Sequence, residues 1–345
     1  MSQICIFCGK QPNSKNKEHV LPQWLLRMTG DPIRVVRFRM NYFEEKLIEF
    51  NWKNFTAPAC RQCNDKYASF EAEIQPLIEK LTNKKEITGN EAIKILDWFD
   101  KVRVGLWLNY YYLEKNKGQI SPKLCIDNRL GKKDRFLQIY FLESRHKSEG
   151  LNAFGVETFA FQFNPSFFGL RINNILIING SNDFFISKNC GFPYPNFLEI
   201  VENGMLSVSD WKYDRQTSPI IDNLALHKAV LTIMQPIHTE MKYESNFFND
   251  SYLFQNCIDL TNRIGTLFKI ENNVLNPIKD LNSFMKYESV IGNETKLIGE
   301  LIAKVYEGQN VFLSRIKSKK NEAFKKAIEI NIKHVEYYKA LSNNV

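Results

Sequence analysis

Apolar residues recur at three- and four-residue spacing between Asp65 and Leu81, at Phe70, Ile74, Leu77, Ile78 and Leu81. This spacing lines one face of a helix, and Pro76 inside it is expected to kink the helix or end its first half. A second helix is expected from Glu91 to Glu114, where Ile95, Trp98, Phe99, Val102, Leu106 and Tyr110 form a stripe that reads as core. Residues 82–90 between them are polar and rich in turn formers, so the boundary between two parts is placed there. Ahead of the first helix, Arg34, Arg37 and Arg39 alternate with Val35-Val36, Phe38 and Met40. That pattern predicts a strand with a cationic edge, suited to phosphate contact or to plain solvation, and residues 41–50 predict its hairpin partner.

The pattern changes between residues 119 and 190. Runs at 136–141, 156–163, 168–172 and 175–179 are rich in β-branched and aromatic residues and predict strands. Asn173-Asn174 separates the last two as a tight hairpin turn, and the whole predicts an antiparallel sheet with one buried face. Helical spacing returns at 222–234, ahead of Pro236, then at 293–306, and at 318–341 with Phe324, Ile328, Ile332, Val335 and Tyr338 on one face. The expected class is α+β: an N-terminal module over 1–85, then an α+β domain over 90–345 with its sheet at about 119–190 and helices at about 222–341.

Composition adds limits. At 44% hydrophobic and 13% aromatic residues, the chain suits a packed globular protein rather than a disordered one. No run of eighteen apolar residues occurs, so no membrane span is expected, and the first residues lack a signal-peptide pattern, so a cytoplasmic location is expected. The net charge of +8 suits a polyanionic partner without requiring one. Between Arg315 and Lys339, eight Lys and Arg stand against three Glu, which makes Arg315, Lys317, Lys319 and Lys320 candidate nucleic-acid contacts alongside Arg34, Arg37 and Arg39. An ordinary solvated helix face has the same composition. Arg129, Lys132, Lys133 and Arg135 form another basic cluster, but Asp127 and Asp134 offset it, and it reads rather as a solvated loop.

The candidate chemistry lies in the first 75 residues. Two C-x-x-C pairs, Cys5/Cys8 and Cys60/Cys63, sit in polar, turn-rich surroundings. Two-residue spacers let each pair grip one ion, and Zn²⁺ accepts four thiolates tetrahedrally. Reduced core thiols or a disulfide are the competing readings; two pairs favour zinc, and a chain without a secretory signal disfavours the disulfide. A closed four-cysteine site leaves no open coordination position, so this zinc is expected to be structural. Cys125, Cys190 and Cys257 read as buried free thiols, and His227 and His238 as structural. Between the pairs lies Glu18-His19-Val20-Leu21-Pro22. If Val20 is in a strand, residues 18 and 19 point to opposite faces, which suggests a division of labour. The carboxylate is a hard ligand for Mg²⁺, and the neutral imidazole is a general base near pH 7. The Asn64 amide oxygen can complete the Mg²⁺ site or cap the following helix, and the two uses compete.

The order C-x-x-C, Glu18-His19-Val20-x-Pro22, Asn, C-x-x-C-Asn64 resembles the HNH endonucleases, the zinc-containing branch of the ββα-metal nucleases, over residues 5 to about 75. The resemblance implies that His19 activates water and that Glu18 and Asn64 hold one Mg²⁺ or Mn²⁺. It also implies that a middle asparagine orients the histidine through its backbone, best matched by Asn54, with Asn51 competing. Residues 24–50 are an insertion relative to compact members. Glu71 follows Asn64 by seven residues near the same helix face and reads as a supporting residue. The implied activity is metal-dependent hydrolysis of DNA phosphodiesters, with RNA left open and 5′-phosphate and 3′-hydroxyl products. Stand-alone chains of this layout resemble bacterial restriction or anti-phage effectors, and residues 90–345 would then bind DNA, a ligand, a second copy or a protein partner such as an ATPase. The rival expectation is a zinc-stapled module that binds nucleic acid or protein without catalysis.

Overall fold

The computed structural model describes residues 4–12, 16–41, 46–113, 125–142, 149–182, 184, 187, 194–200, 206–212, 229–236, 265–271, 274–288, 294–317 and 321–343. Side chains at 37–48 are not among them, nor are Cys190, Cys257, His227, His238, Lys319 and Lys320. In chain order the first stretch forms β1 (Asn16–His19), α1 (Gln23–Met28), β2 (Val35–Asn41), β3 (Lys46–Asn51), β4 (Thr56–Ala59) and α2 (Arg61–Thr82). β1 and β4 pair antiparallel, with Glu18 opposite Ala57 and His19 opposite Thr56. β2 and β3 form the expected hairpin, with a register shift between Arg37 and Arg39. α2 runs through Pro76 without ending. Ile74, Ile78 and Leu81 are fully buried around that position, which offsets the roughly 3 kcal/mol that an interior proline costs.

The remainder forms β5 (Ile87–Thr88), α3 (Gly89–Leu113), α4 (Ile126–Arg129), β6 (Asp134–Phe141), β7 (Leu151–Phe154), α5 (Phe159–Phe163), β8 (Phe167–Ile172) and β9 (Ile175–Asn182). These are followed by β10 (Tyr194–Ile200), β11 (Leu206–Lys212), β12 (Leu231–Gln235), β13 (Phe268–Glu271), β14 (Val274–Pro277), β15 (Phe284–Met285), α6 (Glu294–Ser314) and α7 (Asn321–Asn343). A capping box starts α3: Glu91 N donates to Thr88 Oγ1 at 3.3 Å, and Thr88 N donates to the Glu91 carboxylate at 2.8 Å. Seven strands form one antiparallel sheet in the order β14-β13-β12-β6-β9-β8-β7. The β8–β9 turn is the expected Asn173-Asn174, with Asn173 at φ +52°.

Both faces of the central strands β12, β6, β9 and β8 are buried, not one. Leu137, Ile139, Ile175, Ile177, Leu231 and Ile233 join a core shared with α3 and the N-terminal stretch. The alternate residues Phe136, Tyr140, Leu176, Ile178 and Met234 pack against Leu301, Val305 and Phe312 of α6. Strands covered on both sides lose their polar alternation, so the one-face expectation failed. The turn at 82–90 does not divide two cores either, because the first of these clusters runs from Cys5 to Met285.

Two element assignments change. Residues 156–163, expected as a strand, contain α5, capped by Thr158 Oγ1, which accepts from Phe161 N at 3.0 Å. A run apolar on every side has no period, and the cap residue was the signal that distinguished it. The helix expected at 222–234 is β12 over its described end; residues 222–228 lie outside the described set. All five residues of β12 are buried, and a short continuous apolar run suits a central strand as well as a helix.

The basic cluster at 129–135 is not a solvated loop. Arg135 is buried and donates to Asp97 at 2.5 Å, Asp100 at 2.9 Å and Gln235 Oε1 at 2.8 Å. Arg103 on α3 pairs with Asp100 at 2.6 Å and reaches Asn179, while Arg129 donates to Ser181 O at 2.6 Å. These groups tie α3 to β6, β9 and β12. Arg135→Met should therefore destabilise the fold by about 3–5 kcal/mol, seen as a lower urea midpoint, because Asp97 and Asp100 would lose a buried partner. A midpoint equal to that of the wild type would contradict this.

Candidate active site and metal centre

Cys5 and Cys8 flank a tight turn in which Gly9 N donates to Cys5 O at 2.9 Å and Gly9 adopts φ +72°, a conformation that favours glycine. Cys60 closes β4 as the N-cap position of α2, and Cys63 lies in the first turn of that helix. The four sulfurs all lie within 4.8 Å of one another, with Cys8 Sγ and Cys60 Sγ 3.9 Å apart. A tetrahedral zinc with bonds of about 2.3 Å has sulfur–sulfur edges of about 3.8 Å, so the Cys8–Cys60 edge matches a zinc site and the other sulfurs lie within about 1 Å of that span. All four cysteines are free thiols rather than disulfides. Cys60 N donates to Cys5 Sγ at 3.3 Å, and the α2 N-terminus lies beside the cluster, which favours thiolate charge. Without an ion the thiols oppose one another. Burial, then the charges of Cys5 and Cys8, push the Cys63 thiol well above its ordinary value. Burial would also raise Cys8, but hydrogen bonds from the Lys10 backbone and the neighbouring cysteines bring it below its ordinary value.

The first knuckle is held from two sides. Phe7 stacks on Tyr67 of α2 at 4.0 Å between ring centroids, and Ile126 N and Asp127 N donate to Ile6 O and Phe7 O at 2.8 and 3.0 Å. Tyr67 Oη donates to Asp127 at 2.6 Å. Segment 125–127 thus completes the hydrogen bonding of the knuckle backbone.

β1 presents Glu18 and His19 to opposite sides, as its pleat requires. Glu18 points inward and is 7% exposed, while His19 is half-buried at the strand end. Lys101, fully buried on α3, donates to Glu18 Oε1 at 2.6 Å and to the Glu71 carboxylate of α2. Its Nζ also lies 3.5 Å from His19 O and 3.4 Å from Val20 O. α3 comes this close because of Gly105: a Cβ there would stand 3.0 Å from Val20 Cγ1. Gly105→Val should cost about 1–3 kcal/mol by overpacking this contact, measurable as a drop in thermal midpoint. Burial raises the Glu71 carboxyl above its ordinary value, which Lys101 partly offsets.

The His19 ring lies 3.1 Å from Gln23 Nε2, at the first position of α1. Burial lowers the imidazole below its ordinary value, opposed by Glu18 and helped by Lys101 and Lys53, which favours the neutral ring. Asn54 is exposed in the turn before β4, and Asn51 is half-buried at the end of β3. Among the described residues neither hydrogen-bonds His19, and the backbone link beside it is Val20 N to Phe55 O at 3.3 Å. Asn64 is not the cap of α2, since Cys60 holds that position. Its Oδ1 is buried with no hydrogen-bond partner among the described residues, an arrangement that costs about 1–3 kcal/mol unless a donor or cation meets it.

The cationic candidates separate. Arg34 clamps its own loop, donating to Asp31 O at 2.7 Å and Thr29 Oγ1 at 3.0 Å, rather than standing ready for phosphate. Arg37 and Arg39 lie in β2, with side chains outside the described set. Arg315 and Lys317 follow α6, and the Lys317 ammonium sits 4.4 Å from the centre of the Phe197 ring. α6 packs on the sheet face opposite the one that α3 and the N-terminal stretch cover. Sequence reasoning missed Gln23 and Lys101. Gln23 follows the Glu-His-Val-x-Pro run directly, whereas Lys101 lies 83 residues from Glu18 and gives no local signal.

Among the described residues no helix is long and apolar enough to cross a membrane. Comparisons of the chain with protein-family models, with curated proteins and with solved structures found no match.

Proposed function

We propose that the chain is a metal-dependent HNH-type endonuclease that hydrolyses DNA phosphodiester bonds. The observation that carries this reading is the four-cysteine cluster at the β4–α2 junction, with β1 paired to β4 and facing α2. Two antiparallel strands and a helix, stapled by zinc, are the scaffold that the resemblance implies. On it, Glu18 and Asn64 Oδ1, which among the described residues has no hydrogen-bond partner, would hold Mg²⁺ or Mn²⁺, and that ion would supply Lewis acidity at the phosphate. His19, whose burial favours the neutral ring, would accept the proton of the attacking water on the ring nitrogen that carries the lone pair. With its amide turned so that Oε1 accepts from the other ring N–H, Gln23 would take the orienting place assigned to Asn54 in the sequence. A role in bacterial restriction or anti-phage defence, and a partner that restrains the activity, belong to the same proposal.

The Lys101 salt bridge favours a second reading, because it engages the carboxylate that the ion needs. In that reading the module is a zinc-stapled platform that binds nucleic acid or protein without cutting. Plasmid nicking by wild-type and His19→Ala protein, each with and without Mg²⁺ or Mn²⁺, decides between them. Metal-dependent nicking lost in His19→Ala supports the nuclease. Binding without cleavage under every condition supports the platform.

A further inference from the structure

The ion-pair geometry around Lys101 has a consequence for cation affinity. Its ammonium lies between Glu18 and Glu71, with side-chain exposures of 1%, 9% and 12%. With both carboxylates ionised, two carboxylates and one ammonium leave this buried group with one negative charge in excess. Lys101 bonds Glu18 through Oε1 only, and among the described residues Oε2 has no hydrogen-bond partner. One oxygen is anchored and the other is open.

We propose that Lys101, supplied by α3 from outside the zinc-stapled motif, is a built-in counter-ion that sets the affinity of the Glu18 site for divalent cations. The proposal rests on the nuclease reading of Glu18. With no ion bound, Lys101 neutralises the carboxylate that would otherwise repel Glu71, so the site is stable without metal. An arriving divalent ion must share Glu18 with an ammonium a few ångströms away, and like charges at that range in a buried site weaken binding strongly. The cation is thus held weakly, at a level set by α3. The same helix carries Asp100 and Arg103, whose ties run to the sheet, so sheet and site meet in one rigid element.

Direct Mn²⁺ binding to the zinc-loaded full chain, followed by electron paramagnetic resonance of free Mn²⁺, tests this without a cleavage assay. Lys101→Met should bind Mn²⁺ at least about ten-fold more tightly than wild type, because a positive charge is removed beside the ion. Glu71→Gln should bind more weakly, because Lys101 then concentrates on Glu18. A purely structural role would move both variants the same way, so opposite signs are the signature. If Lys101→Met does not fold, the double variant Glu71→Gln/Lys101→Met keeps the net charge, lacks the ammonium, and should also bind more tightly than wild type. Unchanged or weaker binding in the folded Lys101 variants, or Glu71→Gln binding as tightly as wild type, overturns the proposal. Glu18→Gln separates the two levels: if it leaves Mn²⁺ binding intact, the nuclease assignment of Glu18 fails and this proposal falls with it. If it abolishes binding while the Lys101 and Glu71 variants do not diverge, only the counter-ion role fails.

Discussion

Plasmid DNA incubated with Mg²⁺ and His19→Ala protein is expected to stay supercoiled over times in which the wild type nicks it to completion. General-base catalysis contributes about 10²–10⁴-fold, so the residual rate should fall by that factor. The substitution should leave the fold intact. His19 ends β1, is half-buried, and its one described side-chain partner is Gln23. The residues that fix the strand, Glu18 against Lys101 and the β1–β4 ladder, do not involve the ring. Zinc content and thermal midpoint should therefore match the wild type, which separates lost chemistry from lost structure. Gln23→Ala should give a smaller loss of the same kind. A folded, zinc-loaded His19→Ala protein that nicks at the wild-type rate removes His19 as the base.

Removing zinc should have the largest effect on stability. One zinc per chain is expected by metal analysis of the purified protein. Stripping it with a strong chelator, or substituting Cys8→Ala, should loosen the first knuckle and the β4–α2 junction and lower the thermal midpoint sharply. Structural zinc sites of this type contribute on the order of 10 kcal/mol. The local reason is that the ion joins the first knuckle to the β4–α2 junction, where its other supports are the Phe7–Tyr67 stack and backbone hydrogen bonds to Pro58, Ile126 and Asp127. Without the ion, the four thiols within 4.8 Å of one another cannot all ionise, and they no longer pull the knuckle onto α2. A chelated protein with an unchanged melting profile and unchanged protease resistance at 4–82 would show that the cluster holds no structural metal.

Much of the architecture was legible because its signals are local. α2, α3, α6 and α7 follow from three- and four-residue apolar spacing, and β8 and β9 from β-branched runs around Asn173-Asn174. The errors fell where local signals run out. The aromatic run at 156–163 has no period, and the helix it contains depends on Thr158 as its cap. β12 is buried on both sides, and so resembles a helix segment in composition. Arg129 and Arg135 carry charge, which by itself favours solvent, but Asp97, Asp100 and Gln235 give Arg135 buried partners and Ser181 O gives Arg129 one.

For the candidate site, the amino-acid order alone determined which cysteines can meet, since two-residue spacers commit each pair to one turn. The same order put Glu18 and His19 on opposite sides of a strand, because a pleat alternates its side chains. Only the tertiary structure decided what each side faces. It set Lys101 against Glu18, Gln23 against His19 and α6 on the far face of the sheet. Those are contacts between groups far apart in the chain or across a turn, and packing, not local propensity, chooses them.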